Sequence, residues 1–353
     1  MEPMKTTINE VAKLAGVSKA TVSRVMNDSK PVNKEKHDRV IQAIKELEFR
    51  PSTVARGLVH KRTGLVGVVI PDITNPFFAE MVRGVEEVVR EKNYNMILCN
   101  TFHSFEREMS TLNMLMDKYV DGIIFMTAKV TPEHREFFKK NQLPVTFINR
   151  KCEDIHVSSL DIDNYQAAHD MTTFFLKRGH RRVAIIRAPL TDKTSGFERF
   201  RGYQDAMRAY GVEPDHSLVM RSNFKIESTY KSVKRFLKTQ QMVTAIFATS
   251  DLMAMGAIKC LKDHGIRVPQ DVEVAGFDDI PMASYYIPSI TTVRQPITEM
   301  GKTATKMLIR EINGDKVKNR SIILPYQLIC RESTLTTPVS HAPEHVKPPV
   351  TGD

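Results

Sequence analysis

From about residue 63 onward, short apolar runs alternate with segments of helical periodicity, and this alternation limits the fold more than any other feature. The run Leu65-Val66-Gly67-Val68-Val69-Ile70 is apolar on both faces, as a parallel strand covered by helices on both sides must be. Further strands are expected at residues 96–98, 122–126 and 145–148, with helices near 76–92, 105–117 and 132–139. A second set repeats the rhythm. Its strands fall at 183–186, 244–247 and 272–275, among helices near 165–177, 197–210, 227–238 and 251–264. Two serial β-α-β arrays specify an α/β core of two doubly wound parallel sheets. A last helix near 296–313 and strands near 321–337 are more than the second set needs. No G-x-G-x-x-G or P-loop motif follows any strand, so nucleotide-binding readings have no support.

The first sixty residues follow a different pattern. Thr7-Ile8-Asn9-Glu10 has the form of a capping box, and a short helix follows to about Leu14. Ala15-Gly16-Val17 reads as a tight turn, Ser18 as the cap of a second helix, and Asn33 as the cap of a third. Val22 and Val25 are expected to face inward, as are Val40, Ile41, Ile44 and Leu47. Three short helices with a glycine turn between the first two make a helix-turn-helix. Charge agrees with this reading. Residues 1–62 hold thirteen Lys and Arg against seven Asp and Glu, so +6 of the chain's +10 lies in less than a fifth of its 353 residues. Such asymmetry points to a polyanion partner for the basic part.

Residues 7–27 (Thr-Ile-Asn-Glu-Val-Ala-Lys-Leu-Ala-Gly-Val-Ser-Lys-Ala-Thr-Val-Ser-Arg-Val-Met-Asn) resemble the DNA-binding signature of the lactose/galactose repressor family. Residues 49–58, Phe-Arg-Pro-Ser-Thr-Val-Ala-Arg-Gly-Leu, are similar to that family's hinge segment, and the resemblance continues to about residue 337. It implies a helix-turn-helix domain over 1–50, a hinge helix over 51–62, and a two-lobed, periplasmic-binding-protein-like core over 63–337. The first lobe would comprise about 63–163 and 293–326, the second about 164–290 and 327–337. The resemblance also implies a dimer on a palindromic double-stranded DNA operator. Lys19, Ala20 and Arg24 would read base edges, an arginine being suited to guanine and an alanine methyl to thymine. Thr21, Ser23 and Asn27 would set the register on phosphates, and Thr7 and Ser18 would belong to the same DNA-binding surface. Ser52, Ala55, Arg56 and Leu58 would complete the interface, with Leu58 wedged into the minor groove.

The same resemblance places an allosteric small-molecule effector between the lobes, a sugar or sugar derivative. Asp72, Phe77, Phe78, Asn149, Asp163, Arg199, Ser250 and Asp278 would hold it, with Asn164 and Asp251 close by. Lys193 and Arg187 lie near enough in sequence to raise an anionic sugar. Similarity to catabolite control proteins leaves a phosphorylated carrier protein as an alternative corepressor. Several other classes are excluded. Cys99, Cys152, Cys260 and Cys330 lie far apart and the histidines form no ligand spacing, so neither a disulfide framework, a metal site nor a cofactor is expected. No G-x-S-x-G nucleophile accompanies the carboxylates, which argues against an enzyme. No apolar run is long enough for a membrane span and no leader-like apolar region opens the chain, so a cytoplasmic protein is expected. Residues 338–353 are proline-rich, polar and aperiodic and are expected to be disordered.

Overall fold

A computed structural model describes residues 6–27, 31–49, 62–149, 157–315 and 320–335. The chain divides into two compact units, Met1–Gly64 and Leu65–Asp353. The hinge segment 51–61 and the tail 338–353 named above lie outside the described residues.

In the first unit, helices α1 (Ile8–Ala15), α2 (Lys19–Asn27) and α3 (Lys34–Glu46) enclose a core of Val11, Ala12, Ala15, Val22, Val40 and Ala43. Ile8, Val17, Val25, Ile44 and Leu47 pack around it. The Glu10 carboxylate accepts from the Thr7 N–H at 2.7 Å and from the Thr7 hydroxyl at 3.1 Å, closing the first turn of α1. Gly16 ends that helix at φ +60°, a left-handed conformation that a Cβ would strain. The Gly16 carbonyl accepts from Arg39 Nη2 at 3.0 Å, so α3 braces the turn. Ser18 Oγ accepts from the Thr21 N–H at 3.2 Å and opens α2, and Asn33 Oδ1 accepts from the Glu35 N–H at 2.9 Å and opens α3. Ile41, expected inward, is half-buried, and Ala43 takes the buried place instead.

The second unit holds two parallel sheets. Strands β1 (Leu65–Ile70), β2 (Asn95–Asn100), β3 (Gly122–Phe125), β4 (Val145–Ile148), β5 (Ser158–Ile162) and β11 (Ser321–Leu324) form a sheet ordered β11-β5-β4-β3-β1-β2. Strands β6 (Val183–Arg187), β7 (Val219–Arg221), β8 (Ala245–Ala248) and β9 (Glu273–Ala275) form the other, ordered β7-β6-β8-β9. An antiparallel ribbon of β10 (Thr292–Arg294) and β12 (Gln327–Ile329) joins them. The helices are α4 (Pro76–Glu91), α5 (Phe105–Asp117), α6 (Pro132–Asn141), α7 (Asn164–Lys177), α8 (Arg199–Ala209), α9 (Ile226–Leu237), α10 (Asp251–Asp263), α11 (Pro281–Tyr285) and α12 (Ile297–Ile312). Among the described residues no helix is long and apolar enough to cross a membrane.

Of the surplus C-terminal elements, two return to the first sheet: β11 pairs with β5 in parallel, and α12 packs along α4. That packing is close because two glycines face across it. A Cβ on Gly84 would stand 2.1 Å from the Thr298 carbonyl oxygen, and one on Gly301 would stand 2.2 Å from that of Met81. Strand β5 is absent from the sequence reading because Ser158-Ser159-Leu160-Asp161-Ile162 lacks an apolar run. Its polar groups are instead satisfied one by one. The Ser158 hydroxyl donates to Glu311, and the Asp161 carboxylate accepts from the Ile162 N–H and from Asn164 Nδ2, each at 2.8 Å. Strand β7 was missed for a simpler reason: it is three residues at a sheet edge.

Candidate functional site

In each sheet the strand order reverses once, between β1 and β3 and between β6 and β8. Open α/β sheets bind ligands outside the carboxyl ends of the strands at such switch points. A cavity of about 450 Å³ lies there. Pro71 and Asp72 after β1, Met126, Thr127 and Ala128 after β3, and Ile148 and Asn149 at the end of β4 contribute one wall, with Phe77 and Phe78 from the start of α4. The opposite wall holds Asp192, Thr194, Ser195, Arg199, Asn223, Phe224, Lys225, Leu252 and Asp278.

Arg199 is 3% exposed and almost fully engaged. Its Nε donates to Asn164 Oδ1 at 2.8 Å, its Nη1 donates to the Thr249 carbonyl at 2.7 Å and stands 3.5 Å from Asp278 Oδ1, and its guanidinium lies over the Phe277 ring. Asp278 Oδ1 also accepts from Gln295 Nε2 at 2.7 Å. Burial pushes the Asp278 carboxyl up to about 6, against the pull of Arg199. Asp251, behind it, is raised well above the ordinary carboxylate range, by burial first and by the Asp278 charge second. The Asp251 carboxylate accepts from the Thr292 hydroxyl at 2.6 Å and the Ile280 N–H at 2.8 Å. Gly276 makes room for it, since a Cβ there would meet Asp251 Oδ1 at 2.3 Å.

The first wall is held by shorter-range bonds. Asp72 Oδ1 accepts from the Thr74 N–H and hydroxyl, at 3.0 and 2.7 Å. Asn75 caps α4, accepting from the Phe77 N–H, and Phe77 and Phe78 meet edge to face. Phe77 is 5% exposed and belongs to the core as much as to the cavity, whereas Phe78 is the more open ring. The Thr127 hydroxyl donates to Glu108 Oε1 at 2.8 Å, and His134 Nε2 stands 3.3 Å from the other oxygen of that buried carboxylate. Asn149 turns the chain at φ +57°, and its Oδ1 is buried with no hydrogen-bond partner among the described residues.

Six of the eight expected pocket residues therefore line one cavity: Asp72, Phe77, Phe78, Asn149, Arg199 and Asp278. Asp163 and Ser250 are not among its lining residues. The Asp163 carboxylate caps α7 through the Gln166 N–H, and the Ser250 hydroxyl caps α10 through the Met253 N–H, so local capping takes both side chains away from the cavity. Asn164 and Asp251 also lie off the lining: Asn164 Oδ1 accepts from Arg199 Nε, and the Asp251 carboxylate accepts from the Thr292 hydroxyl and the Ile280 N–H. Arg187 and Lys193 do not line it either: Arg187 lies over the Phe200 ring and Lys193 over that of Phe197. Sequence reasoning overlooked Asp192, Thr194 and Ser195. Their signal was the Asp192 cap, whose Oδ1 accepts from the Thr194 and Ser195 N–H groups and opens a wide turn, Lys193–Glu198, leading into α8.

On the first unit, Ser18, Lys19, Ala20 and Arg24 are exposed along α2, and Thr21 and Ser23 are half-buried. Thr7 stands at the start of α1, engaged by Glu10. The side chain of Asn27, and all of Ser52, Ala55, Arg56 and Leu58, lie outside the described residues.

Comparison with known proteins agrees with both units. Residues 7–52 match the family described as bacterial regulatory proteins, lacI family, and residues 172–334 match a periplasmic binding protein-like domain. The chain is 38% identical over 332 residues to the HTH-type transcriptional regulator RegA of Clostridium saccharobutylicum, covering 94% of this chain and 100% of that one. It is 38% identical over 329 residues to the ribose operon repressor of Halalkalibacterium halodurans, covering 93% and 97%. A solved transcriptional regulator CelR-cellobiose complex superposes with a TM-score of 0.71 at 32% identity, covering 93% of this chain and 99% of that one.

Proposed function

The chain belongs to the lacI family of bacterial regulatory proteins, as a DNA-binding transcriptional regulator and not an enzyme, and we propose that its effector is a neutral sugar held in the cleft of the second unit. The observation that carries this reading is the charge of the cavity wall. Among the described residues, Asp72, Asp192, Asp278 and Glu227 line it against Arg199 and Lys225. An excess of carboxylates repels a phosphate or a sugar acid, but each carboxylate can accept hydrogen bonds from sugar hydroxyls. Phe78 and Phe224 supply apolar faces for a sugar ring. The cationic Arg187 and Lys193, which would have favoured an anion, point elsewhere. A cellobiose-bound relative and a ribose operon repressor are consistent with this ligand class.

In this proposal the regulator works as a homodimer on a palindromic operator. The exposed row of Lys19, Ala20 and Arg24 on α2 reads bases, and Ser18, Thr21 and Ser23 sit where they can meet phosphates. The effector acts by binding the open and closed arrangements of the core with different affinity, which shifts operator binding by linkage. A thermal-shift screen tests the ligand class with cellobiose, D-ribose and their phosphate esters. A ligand at 100 times its Kd adds about 2.7 kcal/mol of stability. The neutral sugar should stabilise and its phosphate should not; the reverse order would overturn the reading.

A further inference from the structure

Resting on the neutral-sugar reading of the cleft, we propose that Asp279, Arg294 and Arg331 are positioning residues for the effector, fixing the carboxylate of Asp278 from outside the cavity. Asp278 and Asp279 are consecutive non-glycine residues with positive φ, +115° and +58°. The Asp279 value lies in the left-handed well, but that of Asp278 lies well outside it, where an L-residue persists only if its surroundings hold it. Freed from those surroundings, the turn would relax and carry the Asp278 carboxylate away from the cavity.

The holding groups can be named. The Asp278 N–H donates to the Val293 carbonyl at 2.9 Å, and the Gln295 N–H donates to the Asp278 carbonyl at 3.2 Å. One residue on, the Asp279 carboxylate is 7% exposed and takes two arginines from different strands of the ribbon. Arg294 Nε, at the end of β10, donates to Oδ2 at 2.5 Å, and Arg331 Nη2, just after β12, stands 2.7 Å from Oδ1. Arg331 is itself fixed, its Nη1 donating to the Ile290 carbonyl and its N–H to Thr291 Oγ1, both at 2.8 Å. The ribbon does not need this carboxylate, because β10 and β12 pair through their own backbone ladder from Thr292 to Arg294. The turn is tied to β10 by a parallel backbone bridge at Asp278, and one residue on the Asp279 carboxylate extends that hold to Arg331 beyond β12. The two ion pairs therefore serve the turn, and through it the pocket aspartate.

The test uses Asp279→Asn in the full chain, since asparagine tolerates the left-handed backbone but loses both ion pairs. Hydrogen exchange without any sugar should speed up about tenfold at the Asp278, Ile280 and Gln295 amides and stay unchanged in β8. Cellobiose or D-ribose, whichever binds the wild type, should bind Asp279→Asn about tenfold more weakly, and Arg331→Lys should bind nearly as well as the wild type. Unchanged exchange at the turn, or an acceleration that includes β8 equally, would overturn the proposal. So would local acceleration with unchanged sugar affinity. If the wild type bound neither sugar, the neutral-sugar reading would fail by itself, and the exchange result would still decide whether Asp279 holds the turn.

Discussion

Arg24 on the helix-turn-helix and Arg199 in the cleft wall are both arginines proposed to serve a ligand, yet one is exposed and the other is 3% exposed. Arg24 stands exposed on a helix whose N-terminal cap is closed by a neighbour in sequence. Arg199 has already exchanged water for Asn164, the Thr249 carbonyl, Asp278 and the Phe277 ring. Burying such a charge is costly unless every partner is in place. An exposed residue of the first kind can be changed with little effect on folding. One of the second kind is part of the fold, and its loss removes stability.

The largest effect should come from Arg199→Leu. It leaves Asp278 and Asp251 buried without their cation and should cost about 3 to 5 kcal/mol of core stability, measured by urea unfolding. A loss within about 0.5 kcal/mol, the range of ordinary surface substitutions, would erase the contrast with Arg24.

Arg24→Ala should do the opposite. It should cost about 1 to 3 kcal/mol per operator contact and relax the preference at one base, with thermal stability unchanged. Selection from randomised DNA sites, run at two salt concentrations, checks this. Full retention of base preference would remove Arg24 from the reading surface.

The third effect concerns pH. Asp278 has a folded pKa raised to about 6 from an ordinary 3.8. The folded state thus holds its proton where the unfolded chain has lost it. That contribution to stability is fully present below about pH 3.8 and is lost as the pH rises through about 6, on the order of 3 kcal/mol. Exposed carboxylates with lowered pKa, such as Asp263 beside Lys259, work in the other direction, so the measurement is the difference between wild type and Asp278→Asn. The wild type should lose stability relative to the variant between pH 4 and pH 7, and parallel curves would contradict the assignment.

The smallest effect is local to the first unit. Glu10→Ala removes the acceptor of the Thr7 N–H and should lower the stability of the helix-turn-helix by about 1 kcal/mol, seen as a lower thermal midpoint of that unit. If operator selectivity changed as much as stability did, Thr7 would have to contribute to DNA directly.

By itself the sequence determined whatever is settled between neighbours. The three helices of residues 7–46 open on caps whose partners lie a few residues away, so their order of residue types is enough. The doubly wound core was legible for a related reason: a strand buried on both faces needs an unbroken apolar run, and such runs stand out in β1, β3, β4, β6 and β8. Tertiary structure decided which polar residues serve the cleft. Ser250 and Asp251 are adjacent, yet the hydroxyl caps a helix while the carboxylate reaches the Ile280 N–H and the Thr292 hydroxyl, 29 and 41 residues away. Asp279 likewise gains its two arginines only because two ribbon strands meet beside it. A polar side chain can be satisfied in several ways, and the choice among them belongs to partners that folding alone brings within reach.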